Sequence, residues 1–143
     1  MLGVVVPTLY AILGPMARLL LYLGIFAIGF IAVSLWSFWL AVRPPKLVIP
    51  GRPELYQLVA EDVVIESGDG LKLAAWLIPS KDGSRDAAVI LLHGYPAEKA
   101  DMLPIAQALH PHVATLLLDL RSFGKSEGRF TTLGLRERDD LKR

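Results

Sequence analysis

The stretch Ala87 to Asp101, AAVILLHGYPAEKAD, decides how the rest of the chain is read. Its apolar run, Ala87 to Leu92, has no polar interruption and stops at His93-Gly94, with Pro96 two residues on. A short apolar run bounded by turn residues predicts a strand buried on both faces, as in a parallel sheet. Beyond the charged end of the loop, Met102 to Leu109 carries apolar residues at helical spacing, with Ile105 and Leu109 as its core stripe. A second apolar run, Val113 to Leu118, ends at Asp119. Strand, loop, helix and strand make one right-handed βαβ unit. The loop at the carboxyl end of its first strand is where such sheets place their chemistry.

Upstream, Val63-Val64-Ile65 lies in a strand-like stretch from Leu58 to Glu66, and Leu71 to Ile78 forms another. Gly68-Asp69-Gly70 between them is a turn signal, so the pair predicts an antiparallel hairpin at the sheet edge. Glu61, Asp62 and Asp69 are its edge and turn residues, and Ser80 to Asp86 is a polar loop. Downstream of Asp119 comes a loop, Leu120 to Gly128, and then Thr131 to Arg143, which predicts a helix capped by Thr131 or Thr132.

Leu19 to Val42 is free of charge, and the first 42 residues contain only Arg18. A hydrocarbon core about 30 Å thick takes roughly 20 apolar residues in a helix, so this stretch is long enough to span. Trp36 and Trp39 near one end and Tyr22 near the other fit an aromatic belt. A signal peptide has a shorter apolar part and basic residues before it. Met1 to Ala17, with Pro7 and Pro15, reads as a re-entrant or interfacial piece or as half of a helical hairpin. Arg43, Lys46 and Arg52 follow the span, which places the carboxyl-terminal side in the cytoplasm. The expected organisation is a membrane anchor over 1–43 with its helix at about 19–42, a proline-rich linker over 44–57 and an α/β domain over 58–143.

Lys and Arg number 15 against 14 Asp and Glu, and the basic residues form no stripe along the sequence. Nucleic acid therefore has no electrostatic footprint to bind. The chain has no cysteine, which excludes disulfides, thiolate metal sites and a cysteine nucleophile. His110 and His112 flank Pro111 at the predicted helix end, without a third ligand at metal-binding spacing, so no metal or cofactor is expected.

The order of these elements, with His93-Gly94-Tyr95-Pro96 after one strand and Asp119-Leu120-Arg121-Ser122-Phe123-Gly124-Lys125-Ser126-Glu127-Gly128 after the next, resembles the amino-terminal half of an α/β-hydrolase. The resemblance covers roughly Glu61 to Arg143 and lies with the esterases and serine peptidases that often carry a membrane anchor. The second block usually reads D-x-R-G-x-G-x-S there, and Ser122 stands in place of its first glycine. The implied fold class is α/β: a transmembrane helix, then the first half of the hydrolase sheet, an antiparallel hairpin followed by parallel βαβ. The implied chemistry is acyl transfer, in which backbone N–H donors stabilise a developing oxyanion. By resemblance one donor is the N–H of Tyr95, with Gly94 allowing close approach and Pro96 stiffening the loop. Asp119 and Arg121 are expected to pin the second loop.

A serine hydrolase also needs a nucleophile, a base and an acid. Gly124-Lys125-Ser126-Glu127-Gly128 matches the letters G-x-S-x-G but not the context. An elbow serine sits between a buried strand and a helix; here the strand ends five residues earlier, and His93, His110 and His112 all precede Ser126. A phosphate loop through Gly124-Lys125-Ser126 fails because Asp119 occupies the position its first glycine needs. No catalytic residue is therefore expected among these 143 residues, and the chain reads as a hydrolase front half, broken off before its reactive centre. Completed, it would take a small acyl substrate beside its bilayer partner. The alternative reading is a non-catalytic membrane-anchored protein whose α/β stub binds a partner.

Overall fold

A computed structural model describes residues 2–46, 50–82 and 87–142, with side chains described from residue 14 onward. The chain divides into two compact units, Met1–Leu40 and Ala41–Arg143. The first unit is almost all of helix α1, Leu2–Val42. It runs without a break through Pro7 and Pro15, so the re-entrant and hairpin readings of the first 17 residues give way to a single helix longer than 19–42. Each proline removes one backbone donor, and the rest of the hydrogen-bond ladder continues past it. Gly14–Val42 is long and apolar enough to cross a membrane. At 1.5 Å per residue it measures about 44 Å, against about 30 Å of hydrocarbon.

In the second unit a 3-10 turn, Pro53–Tyr56, precedes the strands β1 Glu61–Glu66 and β2 Lys72–Ile78. Strand β3 is Ala88–Leu92, α2 is Leu103–Leu109 after a 3-10 turn at Lys99–Met102, β4 is Ala114–Leu118 and α3 is Glu137–Asp140. The sheet order is β1-β2-β4-β3. β1 and β2 pair antiparallel, Glu66 opposite Lys72, and β3 and β4 pair parallel, Ile90 opposite Leu116. The hairpin turn needs the left-handed Gly70 (φ 82°), and the Ser67 hydroxyl accepts from Leu71 N–H at 2.8 Å. The expected α/β class and strand pairing are those observed. Residues 83–86 of the polar loop and 47–49 of the linker lie outside the described residues.

Strand alternation sorts the core onto two faces. Ile78 and Leu117 pack with Leu58, Ala100, Leu103 and Ala106, whereas Leu73, Ala75 and Leu118 pack with Val63 and Ile65. Three expectations are corrected here. The β3 strand is not buried on both faces: among the described residues it is the outer strand, paired with β4 alone, and Val89, Ile90 and Leu92 are exposed, as the front half of a hydrolase sheet implies. Only Leu91 joins the face that α2 covers. On α2 the buried residues are Leu103 and Ala106, while Ile105 is exposed, because the helix starts at Leu103 and turns that i, i+3 pair to the sheet. The helix expected over 131–143 is the single turn Glu137–Asp140. Leu133 (φ 52°) and Gly134 (φ 109°) are left-handed and break any helix begun at Thr131.

Candidate functional site

Both motif loops leave the same end of adjacent parallel strands, so the sheet itself brings them together. His93 is buried and bridges them: its Nε2 accepts from Leu120 N–H at 3.1 Å, and its Nδ1 lies 2.8 Å from the Gly94 carbonyl. That pair of contacts assigns the proton to Nδ1 and leaves Nε2 an acceptor. The imidazole also meets the Phe123 ring edge-on at 5.1 Å, and the Tyr95 ring meets Phe123 at 5.8 Å. His93 thus clamps the two loops to each other.

The Tyr95–Pro96 peptide is cis. The turn closes with Ala97 N–H donating to the Gly94 carbonyl at 2.9 Å, which leaves the Tyr95 N–H outside the turn's own hydrogen bond. A Cβ on Gly94 would meet nothing within 4 Å, so the space beside it is open. Gly94 and Tyr95 face an apolar cleft of about 130 Å³ with Leu120, Phe123 and Leu133 in its walls.

Asp119, fully buried, organises the second loop. One carboxylate oxygen accepts from Lys99 N–H at 2.7 Å, and the other accepts from Lys125 N–H at 2.9 Å and pairs with the Lys99 ammonium. Lys99 is itself 2% exposed and lies 4.7 Å from the centre of the Trp76 ring. Gly124 (φ 46°) has no room for a side chain, since a Cβ would fall 2.4 Å from the carboxylate. Sequence reasoning missed Lys99: flanked by Glu98 and Asp101, it looks like an ordinary surface charge.

The hydroxyl of Ser126 donates to the Asp119 carbonyl at 2.6 Å and accepts from Ala74 N–H at 2.9 Å. With 0% exposure, it has no path to a substrate carbonyl. Arg121, also buried, holds Asp140 through Nε (2.8 Å) and Nη2 (2.6 Å) and reaches Asp69 through Nη1 at 3.0 Å. The Asp140 hydrogen bonds, working against burial, raise the guanidinium pKa above its ordinary value. Asp69 is lowered to about 2, first by the Ser67 hydroxyl and then by Arg121. Ser122, where the resemblance expects glycine, is left-handed at φ 71°. His110 Nδ1 lies 3.0 Å from the Pro79 carbonyl, and no cluster of metal-ligating side chains occurs among the described residues.

No family model matches the sequence. The Pyrococcus furiosus esterase Pf2001 superposes with a TM-score of 0.64 at 36% identity, over 72% of this chain and 40% of the esterase. DcsB, solved with its substrate analogue, gives 0.52 at 25% identity, over 59% of this chain and 30% of its own. The uncharacterized protein Rv2307c of Mycobacterium tuberculosis is 35% identical over 75 residues, 52% of this chain and 27% of that protein. The chain thus spans about two-fifths of the solved esterase and about a quarter of this curated relative. The second unit carries a partial α/β-hydrolase fold.

Proposed function

We propose that this chain contributes the membrane anchor, the leading half of the sheet and one oxyanion donor of a serine hydrolase acting on ester, thioester or peptide acyl bonds. The observation that supports this most directly is the loop at the carboxyl end of β3, where Gly94 and Tyr95 line an apolar cleft and the turn's own hydrogen bond, from Ala97 N–H to the Gly94 carbonyl, does not use the Tyr95 N–H. A fixed N–H aimed at a developing oxyanion is worth several kcal/mol in such a reaction. The 36% identity to an esterase supports the reaction class.

The acid, base and nucleophile would come from sequence outside these residues. Ser126 is buried with its one proton donated to the Asp119 carbonyl, and His93 Nε2 is engaged by Leu120. The helix Gly14–Val42 would hold the domain at the bilayer, with its carboxyl-terminal side in the cytoplasm.

Capture of the native protein from its own membranes, followed by a fluorophosphonate probe and peptide mapping, tests the reading. Labelling of a serine outside residues 1–143 is the expected result. Labelling of Ser126, or of nothing, would overturn it.

A further inference from the structure

A pocket of about 370 Å³, separate from the oxyanion loop, gathers side chains from distant parts of the sequence. Arg43 and Lys46 come from the segment just after α1, Ser122 and Gly128 from the loop after β4, and Arg129 from the next position. The sequence shows no basic cluster; the fold makes one, and no carboxylate lines this pocket. The Arg43 guanidinium lies 4.4 Å from the centre of the Phe130 ring, a contact that orients the cation. Lys46 Nζ donates to the Ser126 carbonyl at 2.7 Å, a neutral partner that takes one of its three protons. Arg129 is exposed and ion-pairs with no carboxylate among the described residues.

An independent feature of the same wall points to a ligand. Ser122 is 2% exposed, and its hydroxyl has no hydrogen-bond partner among the described residues. A buried hydroxyl left unpaired is costly, and it sits on a left-handed residue that disfavours any side chain. The neighbouring Gly128 packs against this hydroxyl, since a Cβ there would fall 2.7 Å from the oxygen.

We propose that this pocket binds a phosphate-type oxyanion, a phosphomonoester or phosphodiester, through Arg43, Lys46 and Arg129, with the Ser122 hydroxyl as a further donor. A tetrahedral oxyanion offers acceptors in several directions, and guanidinium groups match its oxygens in pairs. Two sources present this chemistry. Arg43 directly follows the last residue of α1, so an anionic phospholipid headgroup is one, and that source rests on the membrane reading above. A free phosphate ester is the other and does not depend on it.

The test uses the whole 143-residue chain. In neutral detergent, inorganic phosphate is titrated against chloride at matched ionic strength while the thermal midpoint is followed by circular dichroism. In the second arm, the chain is co-floated with vesicles of phosphatidylcholine, with or without phosphatidic acid. A saturable rise in midpoint assigns a soluble phosphate; a preference for phosphatidic acid vesicles assigns a headgroup; either supports the site. Arg129→Ala, an exposed position, is expected to weaken the response at least about tenfold. Ser122→Ala should weaken it less, and Lys81→Ala, which removes a charge outside the pocket, should leave it unchanged. A response in neither arm, or an equal loss with Lys81→Ala, would overturn the proposal. Neither arm involves acyl chemistry, so failure here is distinct from failure of the hydrolase reading.

Discussion

The Ser126 hydroxyl and the Asp119 carbonyl meet at 2.6 Å, and the same hydroxyl accepts from Ala74 N–H at 2.9 Å. One buried serine thus ties the loop after β4 back to the β2 strand, whose Ala74 carbonyl also accepts from Asp119 N–H at 2.9 Å. Ser126→Ala leaves a backbone donor and an acceptor buried without this partner. The expected loss is about 2 kcal/mol of stability, read from urea unfolding of the detergent-solubilised chain. Fluorophosphonate labelling at this position should be nil in both proteins. An unchanged unfolding midpoint would contradict the structural role of this hydroxyl.

The Lys99–Asp119 pair makes a stronger demand. Both side chains are buried, and among the described residues the carboxylate is otherwise held by the backbone N–H groups of Lys99 and Lys125. Lys99→Met keeps much of the apolar stem against Trp76 but strands the Asp119 charge. Removing one partner of a buried ion pair costs about 3–5 kcal/mol, enough to unfold a marginal domain. The double variant Lys99→Met with Asp119→Leu removes both charges and should recover part of that loss. A double variant no better than the single one would show that the Asp119 backbone contacts, rather than the stranded charge, set the cost.

Ser122→Gly should act in the opposite direction. Serine at φ 71° pays for a left-handed backbone, roughly 1–2 kcal/mol for an L-residue. Glycine relieves that strain and removes the unpaired hydroxyl, while losing more chain entropy on folding. The balance is a gain of about 1 kcal/mol, seen as a higher urea midpoint in phosphate-free buffer. A lower midpoint would mean that the hydroxyl stabilises the apo fold.

How much of this is legible in the sequence follows from range. The hairpin is local: Gly68-Asp69-Gly70 and the alternation on either side carry it, and the structure pairs Glu66 with Lys72. The βαβ order is legible because apolar runs and helical spacing are local too. The exposure of Ile90 is legible only through the half-sheet reading, since an apolar run states what a strand would bury and not which neighbours it has. Lys99 meets Asp119 from 20 residues away, and Lys46 meets the Ser126 carbonyl from 80. Such pairs exist only once the sheet has brought the loops together. Ser122 is an intermediate case. The resemblance marks the position as glycine's, but only the backbone angle says why.

Glu137 gives a prediction about acid. Although burial raises its pKa, hydrogen bonds from the Thr132 hydroxyl and N–H and from Thr131 outweigh this and hold it at about 2, below an ordinary 4.5. The carboxylate also accepts from Gly134 N–H at 2.9 Å, so it staples the segment that the expected helix would have occupied. A folded-state pKa below the unfolded one contributes stability that is fully present above about pH 4.5 and lost as pH falls towards 2. Glu137→Gln cannot ionise, so it should be less stable at neutral pH by on the order of 2 kcal/mol. Its stability should also vary less between pH 4.5 and 2. Asp69, lowered to about 2 by Ser67 and Arg121, titrates in an overlapping window and remains in the variant, so some acid dependence persists. Urea midpoints measured across that range should converge for the two proteins at the acid end. Parallel curves for wild type and Glu137→Gln would show that this carboxylate is not the group whose protonation loosens the domain.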